Sequence, residues 1–554
     1  LAGISIPRRQ RLHARVADAI ELVYPGAINE RAGEITDHLR KAGSFVDRHK
    51  LARWLALAGK SALKAAAFEE ARRNFQSALS HKGAVDPRQR AGLLASLAMA
   101  ERGLDLWDVA IAHLREVLGI YTNLDDREMI GRSFTELAAA SIWAGRFHEA
   151  TETARRGLTY LQAEVSAERA RLFAILAQAL AAAGVYQPAS EALREALNIA
   201  SQLSDPKLEA RLLGVQSTIN IQFFQLRETV TDRLLSKQLG GSDLPPWQFV
   251  LQLLILHQVL LYLGSLEEAV RIADELEPLA RKIGQSLSVA FCLSTRAWID
   301  FGKAPDLAKL EAGFQRVRKS DREASFAHLE VFFDVQLSLV DFFRGNWTSA
   351  LSHAQASRRR EPGTSMEGLG VGTIFRQMAY ADDRDGAAAI LDEKRALLPR
   401  SGQPNTAGSW LMLALVLEGL VKLGEHSQAG QLSPLFSELM GTGPVVLWPI
   451  FRLTHTIAGV AATAARQWDT AEEHFQIAMQ QAESFPNRLE QTEIRRFHAM
   501  MLMDRAAPGD SERARTPLSE ALESYERIGM PRHIEMTKAL LDQLAAALVA
   551  NTVL

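Results

Sequence analysis

The sequence contains one cysteine, Cys292, so no disulfide can form within the chain and nothing points to an oxidising compartment. Long apolar runs are also missing, because the longest, residues 249–263, is interrupted by Gln252, His257 and Gln258 and is too short to span a membrane. The first residues lack the basic, apolar and small-residue segments of a signal peptide. These absences predict a cytoplasmic protein without a membrane segment.

An excess of either charge is missing as well. The 63 Lys and Arg nearly balance the 65 Asp and Glu, and a formal net charge of -2 predicts no general attraction to nucleic acid or anionic lipid. Two local basic clusters occur, at Arg8, Arg9, Arg11 and Arg15 and at residues 358–360. The first is typical of a solvated helix face and the second of cations at a helix C-terminus. We therefore expect no direct contact with nucleic acid.

The motifs of common catalytic and cofactor sites are absent. Gly59-Lys60 and Gly302-Lys303 have no glycine five residues earlier, so neither belongs to a phosphate-binding Walker A loop. The 14 histidines form no zinc-binding spacing, and no serine has the flanking glycines of a nucleophile elbow. We therefore expect no enzymatic activity, cofactor or metal in this chain. An enzyme whose site only the fold assembles stays open as an alternative.

The sequence does contain a pattern that recurs about four hundred residues apart. Residues 464–479 match residues 65–79, with an aromatic residue, then alanine, phenylalanine and a second alanine at helical spacing. The matched pairs are Trp468 with Phe68, Ala471 with Ala71, Phe475 with Phe75 and Ala478 with Ala78. Small residues on one stripe predict a helix that a second helix approaches closely.

The same pattern divides the interval evenly. Its anchor alanines are spaced by about one or two times 40 residues, and weaker copies fall in the double gaps. The anchors are Ala110, Ala150, Ala189, Ala269, Ala350, Ala429, Ala471 and Ala514, and the weaker copies lie near Val230, Ala308 and Ala389. The period predicts an all-α, right-handed superhelical solenoid of about twelve tetratricopeptide-like helix pairs. In such an array each repeat is expected to contact only its neighbours, which gives an elongated, curved particle.

The first three predicted helices carry a family resemblance. Residues 9–21, 34–43 and 50–75 resemble the junction between the ATPase core and the repeat array of bacterial STAND-type (signal-transduction NTPase) regulators. The resemblance implies that the array senses a signal and holds an upstream NTPase module inactive until a ligand or partner binds. It also implies that ATP and Mg²⁺ belong to a missing upstream domain, together with a nucleotide cyclase or winged-helix output.

Four segments follow from these patterns. Residues 1–45 are the expected helical junction after a missing ATPase core, 46–240 a first repeat array, 241–531 a second array, and 532–554 a C-terminal capping helix and tail. The boundary between the arrays rests on the break from Gly240 to Pro246, where glycines and prolines interrupt the period.

Candidate binding residues follow from the tetratricopeptide pattern, which places certain positions of each first helix on the concave face. These positions hold Gln258, Tyr262, Gln377, Tyr380 and Glu418. Mixed polar and aromatic groups suit a groove for a protein partner or a small-molecule inducer. The resemblance adds an intramolecular contact with the upstream NTPase domain. A free-standing tetratricopeptide adaptor that scaffolds protein complexes is the alternative function.

Overall fold

The computed structural model describes residues 4–27, 30–81, 83, 85–162, 165–231, 246–321, 330–485 and 487–553, and these are mostly helical. The α-helices are α1 (Ile6–Val23), α2 (Ala32–Ala42), α3 (Arg48–Lys64), α4 (Phe68–Ser80), α5 (Pro87–Arg102), α6 (Trp107–Asn123), α7 (Arg127–Trp143), α8 (Phe147–Leu161), α9 (Ala167–Ala182), α10 (Tyr186–Leu203), α11 (Pro206–Gln222), α12 (Pro246–Tyr262), α13 (Leu266–Lys282), α14 (Ser286–Lys303), α15 (Leu307–Asp321), α16 (Glu330–Phe343), α17 (Trp347–Arg360), α18 (Leu369–Tyr380), α19 (Arg384–Lys394), α20 (Ala407–Lys422), α21 (His426–Gly441), α22 (Thr454–Ala464), α23 (Trp468–Ser484), α24 (Arg488–Arg505), α25 (Asp510–Ile528) and α26 (Pro531–Val553). Short 3-10 turns cover Pro25–Ala27, Gly43–Phe45, Arg395–Leu397 and Trp448–Ile450, and two two-residue strands, β1 (Val446–Leu447) and β2 (Arg452–Leu453), pair antiparallel.

The helices from α3 to α25 form twelve antiparallel pairs, in which we call the first helix A and the second helix B. In the fifth pair α11 is followed by helical residues 226–231, the start of its B helix. Helices α1 and α2 precede the pairs and α26 follows them. The prediction of an all-α solenoid of about twelve helix pairs is therefore confirmed.

The turn from A to B is built in nearly the same way in most of the repeats. A residue with positive φ reverses the chain, and the next amide reaches back over the helix end, as Arg146 N–H does to the Ser141 carbonyl at 2.8 Å. The positive-φ residues are Ala66, Asp105, Gly145, Gly184, Phe224, Gly264, Gly345, Asp382, Gly424, Arg466 and Ala506. Their recurrence in eleven of the twelve repeats matches the sequence period.

The anchor alanines lie where A and B come closest. Apart from the weaker copies, every anchor alanine of the sequence pattern, from Ala71 to Ala514, has no exposed surface. The ring of Phe75 lies on Gly59 and that of Phe475 on Gly459, where an added Cβ would meet each ring at 2.6 Å. Close packing of this kind explains why the two copies of the motif are so alike.

The weaker copies, predicted near Val230, Ala308 and Ala389, lie one or two residues from the buried anchor positions. Ala308 and Ala389 are exposed, and Leu310 and Ala387 hold the buried anchor position instead. In the fifth repeat Thr229 is fully buried beside the half-buried Val230. Spacing alone misplaced these anchors because the connections between helices vary in length.

Successive superhelical turns contact each other along a line that we call the seam. The Ser286 hydroxyl donates to Asp105 at 2.5 Å across 181 residues. The Ser365 amide donates to the Ala182 carbonyl, and the Val445 amide to the Tyr262 carbonyl, each at 2.7 Å. In every case the A-to-B turn of one pair contacts a connection between two later pairs. Counted from the pair that contributes the A-to-B turn, these are the fourth and the fifth pair that follow it in the chain. The expectation that each repeat contacts only its neighbours is therefore wrong.

The interior of the later turns is filled by the chain itself. Residues 446–453, which we call the plug, comprise β1, the turn after it and β2, and their large side chains are buried. Phe451 stacks on Trp298 of α14 with ring centroids 4.5 Å apart, and Arg452 forms ion pairs with Glu418 of α20 and Glu493 of α24. The plug therefore packs against A helices from two successive turns.

The predicted boundary at residue 240 and most of the Gly240–Pro246 break lie outside the described residues. Pro246 itself begins α12. The division at 45, 240 and 531 stays a prediction. None of the helices among the described residues has the length and hydropathy to cross a bilayer.

The seam contains a carboxyl group whose protonation should be visible in stability measurements. Burial raises the pKa of Asp105 to about 6, against hydrogen bonds from Ser286 and Trp107 that favour its charged form. The native state therefore keeps this proton between about pH 4 and pH 6, where the unfolded chain loses it, so Asp105 makes stability fall as pH rises through that window. Asp105→Asn should remove this loss, on the order of 3 kcal/mol. Thermal midpoints of both proteins from pH 4.5 to pH 7.5 test this, and a difference that does not grow with pH would contradict it.

Candidate functional site

A cavity of about 620 Å³ opens inside the first superhelical turns, and we call it the lumen cavity. Its walls come mainly from the A helices α7, α9, α11 and α12, with one residue each from α5, α8 and α16 and two from α14. Thr364, Ser365 and Met366, from the turn after α17, form a lip supplied by the next superhelical turn. The cavity is within the size range of sites for small ligands and short peptide segments.

The lip is held by a buried carboxylate. Glu361 accepts a hydrogen bond from the Gly370 amide at 2.7 Å, at the start of α18. Burial raises the pKa of Glu361 to about 7, although the surrounding backbone N–H groups favour the charged form. The Ser365 carbonyl also accepts from the Gly408 amide at 2.9 Å, so the lip connects the seam to α20.

The cavity wall combines charged, amide and aromatic side chains. Both of its carboxylates form ion pairs, Glu136 with Arg102 at 2.8 Å and Glu168 with Arg171 at 2.9 Å. Aromatic rings cover much of the rest, and the lining aromatics are Trp143, Phe147, Trp247, Tyr262, Phe291 and Phe332. The wall can therefore bind a ligand with both apolar and polar groups.

The structure places two of the five sequence-predicted residues at this cavity. Gln258 is half-buried on α12 and lines the wall one helical turn before Tyr262. Tyr262 also lines it but is mostly buried, with its ring edge against Phe224 at 4.9 Å between centroids. Burial raises the pKa of Tyr262, so the phenol stays neutral. Their role in ligand binding stays a prediction.

The other three lie in the packed interior and not on an open concave wall. Gln377 donates to Ser338, and the Tyr380 hydroxyl donates to Glu418 at 2.9 Å. All three side chains are at most 4% exposed. The placement on an accessible wall is therefore wrong for Gln377, Tyr380 and Glu418, because the plug and α26 fill the lumen at their level.

Glu418 belongs to a fully buried ionic network. The Arg452 guanidinium of the plug binds Glu418 at 3.0 Å, Glu490 at 3.2 Å and Glu493 at 2.9 Å. Arg496 adds a contact to Glu493 at 2.8 Å. Burial alone would raise the pKa of Glu418, but the guanidinium groups of Arg452 and Arg376 outweigh it and lower that pKa to about 2. The carboxylate that was expected to face a ligand is thus neutralised by the chain itself.

Three arginines of the cavity wall were not singled out from the sequence. Arg132, Arg171 and Arg211 hold equivalent positions of α7, α9 and α11, one repeat apart. An alignment of the A helices in repeat register would have shown them, because they recur with the period. Among the described residues, no group of three or more His, Cys, Asp or Glu is placed to hold a metal ion.

No protein-family model matches the chain, and no curated protein matches it. Three solved structures are similar to it at low identity. A Rap protein complexed with Competence and Sporulation Factor is 10% identical over 70% of this chain and 96% of that one, with a TM-score of 0.40. The APC/C heterotetramer Cut9-Hcn1 is 13% identical over 90% and 96%, with a TM-score of 0.43, and the apo form of RapI is 12% identical over 63% and 97%, with a TM-score of 0.36.

The repeated helix pairs define the structural class of this protein. It is a tetratricopeptide-like helical repeat protein, wound into touching superhelical turns around a lumen. One end of that lumen is filled by the plug and the other holds a ligand-sized cavity.

Proposed function

We propose that this chain is the sensing region of a STAND-type regulator, in which the lumen cavity binds a protein segment or a small-molecule inducer. Binding would change the contact between the array and an upstream NTPase effector module. The observation that carries the proposal is the lumen cavity, whose walls belong mostly to one superhelical turn and whose lip belongs to the next. A ligand that contacts both changes the free energy of the seam, and this provides the coupling that a sensor needs.

The effector module would contact α1. This helix leaves apolar side chains uncovered, and Leu22 is 82% exposed. The exposed apolar residues on or next to α1 are Ile6, Leu12, Val16, Leu22, Val23 and Tyr24. Apolar surface gathered in this way is typical of a face that another protein covers.

The proposed activity is binding and not catalysis. Glu136 and Glu168, the carboxylates of the wall, each form an ion pair with an arginine, so neither is poised as a general base. Any ATP and Mg²⁺ would bind the upstream module, as the resemblance implies.

A variant with a filled cavity tests the proposal. Val215→Trp places an indole in the lumen, whereas Val109→Trp makes the same change on the exposed face of the B helix α6. Random heptapeptides displayed on phage, and a library of extracted metabolites read by mass spectrometry, are selected on the wild-type chain. We expect binders that Val109→Trp retains and Val215→Trp loses by at least about tenfold in affinity, since the cavity supplies most of their contact area.

The other outcomes are equally informative. Binders that Val215→Trp retains would overturn the lumen site and favour a free-standing adaptor that binds partners on its outer surface. If neither library contains a binder, ligand sensing by this chain is wrong.

A further inference from the structure

The lumen cavity carries a row of arginines that the chain neutralises only in part. Because packed helices lie about 8–10 Å apart, Arg132, Arg171 and Arg211 form a line across α7, α9 and α11. Arg171 pairs with Glu168 at 2.9 Å. Neither Arg132 nor Arg211 has a hydrogen-bond or ion-pair partner among the described residues. The row therefore keeps a positive charge that faces the cavity.

Two further rows run parallel to the arginines but are shifted by one helix, onto α9, α11 and α12, because the equivalent positions of α7 hold Glu136 and Ala139. The first is apolar and lies about one helical turn further along, and the second is polar and lies about two turns further along. Their members are Ile175, Val215 and Ile255 in the apolar row, and Gln178, Thr218 and Gln258 in the polar row. Beyond them the buried side-chain oxygen of Gln222, which also lines the cavity, has no hydrogen-bond donor. Starting from the arginine row, the wall therefore presents positive charge, then apolar side chains, then amide and hydroxyl groups.

We infer that the ligand is an extended acidic peptide segment, in which carboxylate side chains recur every three residues with aliphatic side chains between them. This inference rests on the proposed function and adds the chemical class of the ligand. The carboxylates bind the arginine row, and the aliphatic side chains pack on Ile175 and Val215. The peptide groups pair with the amides, including the unpartnered oxygen of Gln222.

The spacing of the rows fits a peptide. A chain in the polyproline II conformation advances about 3.1 Å per residue and repeats every three residues, so side chains three residues apart face the same way and span the distance between adjacent A helices. Side-chain amides donate and accept, as backbone peptide groups also do. A polynucleotide carries a negative charge at every step, and Glu136 and Glu168 in the same wall would repel part of that charge.

Fluorescence anisotropy with a defined probe tests the inference. The probe is a labelled heptapeptide with glutamate at positions 1, 4 and 7 and leucine at the other positions, and its counterparts replace every glutamate with glutamine or with lysine. We expect the acidic peptide to bind at least about tenfold more tightly than the glutamine peptide, and the lysine peptide not to bind, since each charge-assisted hydrogen bond contributes roughly a factor of ten. Affinity for the acidic peptide should also fall with added salt.

Matched variants identify the arginines that bind the carboxylates of the acidic peptide. Arg132→Gln and Arg211→Gln should each weaken binding of the acidic peptide about tenfold. Arg194→Gln removes the same charge from an exposed position on the B helix α10 and should leave the affinity unchanged. Equal binding of the glutamate and glutamine peptides, or no effect of either lumen variant, would overturn the inference.

Two results separate this inference from the proposed function. If the selected library binders depend on the open lumen but are not acidic, the ligand class is wrong and the sensing function stands. A single-stranded oligonucleotide of ten thymidines that binds more tightly than the acidic peptide would also overturn the peptide assignment. If no library binder depends on Val215, the proposed function itself fails.

Discussion

Replacing Arg452 with methionine should lower the free energy of unfolding by about 3–5 kcal/mol, the largest effect expected of any substitution considered for this chain. The arginine is 1% exposed and neutralises Glu418 and Glu493. Methionine would fill much of the volume but leave these carboxylates buried without a counter-charge. Urea unfolding of the whole chain measures the loss.

A surface pair provides the control. Arg155 forms an ion pair with Glu152 at 2.9 Å, and both side chains are about half exposed. Solvent screens this pair, so Arg155→Met should change stability by at most about 1 kcal/mol. Adding Glu418→Gln to Arg452→Met should recover part of the loss, because one uncompensated charge is removed. If Arg452→Met were no more destabilising than Arg155→Met, the network would have no role in holding the plug.

Replacing Gly284 with alanine should open the seam. The residue has a φ of +72°, and an added Cβ would lie 2.1 Å from the carbonyl oxygen of Gly103 in the preceding superhelical turn. The left-handed backbone costs about 1 kcal/mol with alanine, and the clash adds about 1–3 kcal/mol unless the turns separate. We expect a lower thermal midpoint and a larger radius of gyration in solution scattering.

Gly529→Ala separates backbone strain from seam contact. Gly529 also lies between a B helix and the helix that follows, with a φ of +83°, but an added Cβ there meets no atom within 4 Å. This variant should lose about 1 kcal/mol and keep the wild-type radius of gyration. If both variants lowered stability equally and neither changed the radius, the seam would not hold the superhelical turns together.

The repeat architecture could be predicted because its causes lie within one repeat. Ala71 and Ala471 are small where two neighbouring helices touch, and Phe75 packs on Gly59 of the preceding helix. Both contacts join residues close together in sequence, so they leave a periodic pattern. The fainter repeats were misplaced where polar or larger residues hold the anchor position, as at Leu310.

The candidate site could be predicted only in part. Gln258 and Tyr262 were assigned to the concave side and do line the cavity. Tyr380 and Glu418 were assigned by the same rule but are buried, because Arg452 enters the lumen from a turn that has no counterpart among the described connections between repeats. The repeat pattern contains no information on what fills the space that it encloses.

By itself the sequence determined the helices, their pairing and their number, because helical periodicity, turn residues and small anchors act within a repeat or between neighbours. Only the tertiary structure decided the superhelical pitch, and with it the contact of Asp105 with Ser286 across 181 residues. It also decided which part of the lumen the plug fills and which part stays open. The physical reason is that pitch accumulates small packing rotations over several repeats, so where distant turns meet depends on the whole array and leaves no local signal.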